Sequence, residues 1–417
     1  MLRITSLRFV FYSPEKSVVT QVRELSVSPS TNLSDLVLAL PEGNYKLVVI
    51  ANPTTKLVAR TAVGSPLSQL TGYEHYYTDE LATQGSQLTV SLLNEQGPVT
   101  VTSAAFSSTT PQVRIQLEPA LARVLVYGEP RLAGGAKRGS SPAGYVVSPL
   151  ARYTAPLRPL GLLRTGGSEV AGDGSHPEDR YPTSRMCQEW KDSAPRSLTE
   201  LLSHFALDRM TSHEGGEDIY LARLLPDEQA LAAAVSNIHA YARETTLPPT
   251  AYLVGALPSL VIRFPYIPGG LTLRENEGWV SFRGKYYAES QMKEWIRSDD
   301  FDDSTLAEAV KVARINEDSF TAPFEQGDLR FYYRGYNYYV VPIRHFDDTK
   351  APTKTSIGRY GVVRGAEYRI RLTQILRPGT PVPPDLTADL TPVAEEKNVH
   401  AIVSVRPIVV HSSEIHI

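Results

Sequence analysis

The chain has 417 residues, 42% of them apolar and 21% charged, with a formal net charge of −3 and a pI near 6.3. That length exceeds what one hydrophobic core organises, so two domains are expected, and the composition excludes a disordered tail or a membrane protein. No broad basic surface is implied, which argues against nucleic acid as a partner.

The first third reads as strands. Ile4 to Tyr12 is dense in β-branched and aromatic residues and ends in the turn Ser13-Pro14-Glu15-Lys16. Leu36 to Leu40 and Tyr45 to Ala51 flank the turn Pro41-Glu42-Gly43-Asn44, and Asn52-Pro53 stops the second run, the profile of a buried sandwich strand. Gln87 to Leu93 and Val99 to Val101 continue at all-β spacing. Small polar residues at Ser107 to Thr110 mark a domain boundary, giving domains 1–110 and 111–417. Val113 to Leu117 alternates, and Ala122 to Tyr127 is a further strand. Residues 133–185 lose periodicity and read as a long irregular loop carrying scattered arginines.

Helices are expected at Ser197-Leu198-Thr199-Glu200, at Asp227 to Ala242, and at Thr305-Leu306-Ala307-Glu308; the first and third have capping-box spacing. Phe331 to Val341 reads as a hairpin, and Tyr368 to Thr373 alternates strictly. Arg377 to Pro384 is an extended, polyproline-like connector, and Ala401 to Val410 is the final strand. No fixed-period repeat runs through the chain.

Tyrosine dominates the aromatics, with 22 Tyr against 11 Phe and 3 Trp, a residue suited to half-buried sheet surfaces. The single cysteine, Cys187, permits no intramolecular disulfide and reads as a semi-buried thiol. No stretch approaches the ~20 apolar residues of a membrane span, and no charged-then-apolar leader opens the chain. A strand starting almost at residue one is expected of a processed or trimmed chain.

Catalytic motifs are missing. There is no phosphate-cradling glycine loop, no H-E-x-x-H, no G-x-S-x-G elbow, and no pair of histidines at helical i,i+4 spacing. Asp299, Asp300, Asp302 and Asp303 lack the EF-hand glycine and terminal glutamate, so they read as a solvated helix start. Asp173 to Asp179 reads as another solvated run. No enzyme, no cofactor and no metal are expected.

Several segments together resemble the fimbrillin family of Bacteroidales. They are Ile4 to Tyr12; Leu38-Ala39-Leu40-Pro41-Glu42-Gly43-Asn44 running into Tyr45 to Asn52; Leu117 to Val124; Tyr338 to Phe346; Arg359 to Leu372; Arg377-Pro378-Gly379-Thr380-Pro381; and Val403 to Val410. The chain departs from the family at Ile408, where Trp is common, and at Gly365-Ala366, where Asn-His is common. It also has no lipobox cysteine before Ile4.

The resemblance implies a mainly β fold: two transthyretin-like, Greek-key β-sandwich domains with a few short helices in the C-terminal domain. It implies a fimbrial structural subunit, exported as a lipoprotein precursor, that polymerises by donor-strand exchange and supports adhesion and biofilm formation. Its partners would be other copies of itself, accessory fimbrial subunits, and host or bacterial surface receptors. It would be extracellular, anchored to the outer membrane through the fimbria.

The expected donor is the terminal segment 399–417, with Ala401, Val403, Val405, Pro407 and Val409 as its reading positions and the Pro-rich connector as its hinge. Leu7, Phe9 and Phe11 are the candidate acceptor edge, because a sandwich stripped of a strand leaves unpaired backbone beside exposed core. The bland reading of Ala401 to Val410 is an ordinary last strand of its own sandwich. Alternatives for the whole chain are an accessory or tip adhesin of the same fimbria, a surface glycan-binding lipoprotein, and, last, an extracellular hydrolase.

Overall fold

The computed structural model describes residues 2–28, 30–31, 36–84, 88–107, 112–158, 190, 193–206, 222–231, 237–345, 360–384, 390, 399–408 and 413–416. The chain is mainly β, and its principal sheets stack as successive layers with a hydrophobic core between each neighbouring pair.

The inner N-terminal sheet runs in the order Leu117–Pro119, Leu92–Asn94, Tyr45–Ala51, Ser6–Tyr12, Val19–Ser26, with Val99–Val101 also paired to Tyr45–Ala51. Its two central strands are buried on both faces. Leu7, Phe9, Phe11, Leu47, Val49 and Ala51 point into an outer core, while Val10, Tyr12, Val48 and Ile50 point into a middle core. A strand covered on both sides has no wet face to alternate with, which is why Arg8-Phe9-Val10-Phe11-Tyr12 and Leu47-Val48-Val49-Ile50-Ala51 read as near-continuous apolar runs.

The middle core is completed by the short helices Thr55–Arg60 and Ser68–Thr71, through Leu57 and Leu70. Beyond them lies the inner C-terminal sheet, which contributes Leu121, Leu125 and Tyr241. Here Leu121–Tyr127 runs parallel to Ala366–Ile375 and antiparallel to Tyr241–Arg243, and Val399–Pro407 pairs antiparallel on the far side of Ala366–Ile375. The opposite face of this sheet, with Val124, Val126, Tyr368 and Ile370, packs on an outer C-terminal sheet in which Ser259–Ile267 lies between Gly144–Ser148 and Tyr336–Pro342. The Tyr145 hydroxyl crosses that core and donates to the Val124 carbonyl at 2.7 Å.

A smaller four-stranded unit hangs from the outer sheet: Lys285–Ala288, Trp279–Phe282, Leu329–Tyr332 and Phe324–Gln326, covered by helices Glu289–Ser298 and Ser304–Val312 around their own core. Asp303 caps the second helix by accepting from the Thr305 and Leu306 amides, so the acidic run is a helix start. Among the described residues there is no cluster of three or more metal-ligating side chains, and no helix is long and apolar enough to cross a membrane.

Several expectations change. Helices occur in the N-terminal half as well as the C-terminal half. The expected helix 227–242 is cut short at both described ends: 227–230 is bend and turn before the helical Leu231, residues 232–236 lie outside the described residues, and Ile238–Ala240 is a 3-10 turn leading into Tyr241–Arg243, a strand held by Leu121–Arg123. At that C-terminal end, edge pairing and burial override the helical propensity of Ala242. Phe331 to Val341 is not a hairpin. Leu329–Tyr332 and Tyr336–Pro342 join different sheets, because Arg334 (φ 53°) and Gly335 (φ 70°) turn the backbone through the left-handed region between them.

The first part of the expected loop 133–185 is also ordered, with Gly144–Ser148 a fully buried strand. Its remainder from 159 onward, with Cys187 and Asp173 to Asp179, lies outside the described residues. Nor is the connector free to swing. Tyr338 and Thr380 exchange backbone hydrogen bonds, and the hydroxyls of Tyr332 and Tyr339 donate to the Gly379 and Arg377 carbonyls.

A polar seam runs where the layers meet. Arg364 is buried, donating to Glu244 through Nε (3.1 Å) and to the Pro156 carbonyl (2.8 Å). Arg158 pairs with Glu118 of the inner N-terminal sheet at 2.9 Å and lies 3.7 Å from Glu244.

Candidate functional site

The last described strand, Ser413–His416, does not extend the sheet that precedes it. It lies in a separate three-stranded sheet, between Gln112–Ile115 and Leu36–Val37. Against the first it is antiparallel, with Val113 opposite Ile415 and Arg114 opposite Glu414; against the second it is parallel, with Leu36 opposite Ile415. The two flanking strands do not pair with each other. Each has the chain terminus as its partner in this sheet.

This sheet is the outer cover of the N-terminal sandwich. Leu36, Val113 and Ile115 belong to one core cluster with Leu7, Phe9, Phe11, Leu47, Val49, Leu92 and Val101 of the sheet beneath, rimmed by Leu38, Leu40, Val99 and Phe106. The slot thus has an apolar floor and two strand walls, and the register puts Ile415 in the row of Leu36 and Val113. Withdrawing the tail strand would leave a line of unpaired N–H and C=O groups on each wall above an uncovered core, which is the chemistry of a β-augmentation site.

Leu7, Phe9 and Phe11 are therefore placed differently from the expectation. Their strand is flanked by Val19–Ser26 on one side and Tyr45–Ala51 on the other, so it is no edge. Their side chains form the floor of the slot instead. The expected donor positions are displaced too. Ala401 and Val403 lie on Val399–Pro407, which pairs with Ala366–Ile375 from Val399 through Pro407, and both pack partly buried on the C-terminal core. The whole of that segment, Val405 and Pro407 included, is paired in the inner C-terminal sheet, and Val409 lies outside the described residues. The strand in the slot is the next one along, Ser413–His416, whose short, mixed sequence carries little strand signal.

The chain is a layered, mainly β protein, and its C-terminal region carries a sequence match to a known family. Residues 330–414 match the family model described as "Major fimbrial subunit protein type IV, Fimbrillin, C-terminal". The matched segment takes in the outer-sheet strand Tyr336–Pro342, the pinned connector and the last two strands. The resemblance read from the sequence is matched in this C-terminal region, and the matched family is one of structural pilins.

No curated protein matches the chain in sequence. Among solved structures, a fimbrilin from Porphyromonas gingivalis is similar at 15% identity and a TM-score of 0.41, over 98% of this chain and 92% of that one. A candidate cell adhesion protein from Parabacteroides distasonis is similar at 11% identity and a TM-score of 0.43, over 97% and 94%. One from Bacteroides eggerthii is similar at 11% and 0.40, over 99% and 91%. The identification rests on the sequence match in the C-terminal region.

Proposed function

We propose that this protein is a fimbrial subunit that polymerises by donor-strand exchange, with Ser413–His416 of one copy entering the slot between Leu36–Val37 and Gln112–Ile115 of the next. The observation that carries the reading is the sheet built from two N-terminal strands and the chain terminus, above a core that nothing else in that sheet covers. Donor and acceptor surfaces differ, so the contact is head-to-tail and the assembly an open filament. The same reading divides the chain into an acceptor unit that runs through Pro119, past the boundary expected near residue 110, and a donor unit after it. It also includes export as a lipoprotein precursor, outer-membrane anchoring through the fimbria, accessory subunits and receptors as partners, and a role in adhesion and biofilm formation.

The test is removal of residues 413–417. The truncated protein is expected to stay folded by circular dichroism, to remain monomeric by size-exclusion chromatography, and to form no filaments under the electron microscope. Filaments at the yield of the full chain would overturn the reading.

A further inference from the structure

The tail strand in the slot belongs to the same molecule as the slot. We infer that the free subunit caps its own slot with its own tail, so that assembly is the transfer of one strand from a cis to a trans partner and the uncapped slot is never presented. This rests on the donor-strand reading and adds to it a built-in restraint.

Two observations support it. The first is reach. Ile408 is buried and its amide donates to the Gly365 carbonyl at 2.7 Å, which fixes the end of the preceding strand, and Ser413 follows five residues later. Five residues span at most roughly 17 Å, and Ser413 is already paired with Ile115, so the slot begins within that distance of Ile408. The second is cover. The large apolar side chains exposed among the described residues, such as Val63, Val312 and Ile402, lie elsewhere, and none lines the slot.

A short tether gives the cis strand an effective concentration on the order of millimolar. Free subunits at micromolar concentration therefore stay capped, and tail release limits the rate of polymerisation. Short hinges of this kind are also the ones that exchange when copies are crowded.

Cross-linking tests this directly. Val113 and Ile415 face each other across the antiparallel pair, within the spacing a disulfide requires. In a C187S background, the double variant V113C/I415C is oxidised while dilute and monomeric. Expected is an intramolecular disulfide, seen as faster migration without reductant, and loss of filament formation until reductant is added. Reduced protein that is first polymerised and then oxidised should give ladders linked between copies.

If ladders form from filaments but dilute monomer gives no internal disulfide, self-capping is overturned while donor-strand exchange stands. If neither form cross-links, both fall. If the internally locked monomer polymerises like the reduced one, the restraint does not exist. Hydrogen exchange on the unmodified protein gives a mutation-free check. Amides 112–115 should be as protected in dilute monomer as in filaments, and should lose protection on deletion of 413–417. Fast exchange in the intact monomer would also overturn self-capping.

Discussion

Glu118 and His345 both sit near the seam between the layers, and burial pushes their pKa values in opposite directions. Loss of solvent raises the Glu118 carboxyl to about 7 despite the guanidiniums of Arg158 and Arg364, with Glu244 and Glu95 adding to the rise. Loss of solvent also lowers the His345 imidazole to about 4, against the pull of Glu244. Its Nδ1 lies 2.8 Å from the Tyr368 hydroxyl, which already accepts from the Val363 amide. That hydroxyl keeps a proton it can donate to an unprotonated Nδ1, an arrangement compatible with the neutral ring that burial favours.

The signs follow from which state binds the proton. Folded Glu118 stays protonated where the unfolded chain has lost its proton, so its contribution is full below pH 4.5 and fades as pH rises through 7. Folded His345 stays neutral where the unfolded chain is charged, so its contribution is full above pH 6.5 and fades as pH falls to 4. Between about pH 4.5 and 6.5 the two slopes oppose each other. Relative to wild type, Glu118→Gln should gain a stability that rises with pH across that window, and His345→Gln one that falls. Each difference should amount to about 3 kcal/mol in all, following the pKa displacement. Thermal melting of the three proteins from pH 4 to 8 checks both signs, and parallel curves would show that neither group is as buried as the structure has it.

Individual elements owe their character to the layers on either side of them. The strands Ser6–Tyr12 and Tyr45–Ala51 are identifiable from sequence because both faces are apolar, whereas Ser413–His416 is short and mixed and becomes a strand only through its two neighbours. The connector after Ile375 shows the same dependence. Its proline-rich sequence suggests a free hinge, yet Gly379 is pressed so closely on Tyr336–Pro342 that an added Cβ would meet the Tyr338 carbonyl. Its amide also donates to Asn337 Oδ1 at 3.0 Å. Gly379→Ala should therefore force the connector off that strand and cost about 1–3 kcal/mol, as overpacking does. The check is a urea titration; an unchanged midpoint would mean the connector gives way freely.

At the scale of the molecule, the middle core binds the two halves together. It draws residues both from the inner N-terminal sheet and from the inner C-terminal one. Leu125, buried there on the inner C-terminal sheet, is a probe of that coupling. Leu125→Ala should lower stability by about 2–5 kcal/mol and shift one melting transition. Two separated transitions in calorimetry would show that the halves unfold independently. The tail strand adds a second long-range tie, because it joins the last residues of the chain to a sheet whose other members come from its first 115 residues.

By itself the sequence determined the β class, most strands of the N-terminal half, the capped helices at 198 and 304 and the fimbrillin resemblance, all of which rest on local spacing or on a contiguous pattern. Tertiary structure alone decided that Leu7, Phe9 and Phe11 are a floor instead of an edge, that Val399–Pro407 stays in its own sheet, and that Ser413–His416 fills the slot. A strand's neighbours are chosen by pairing between residues hundreds of positions apart, and backbone hydrogen bonds carry no trace of that choice in the identity of the side chains.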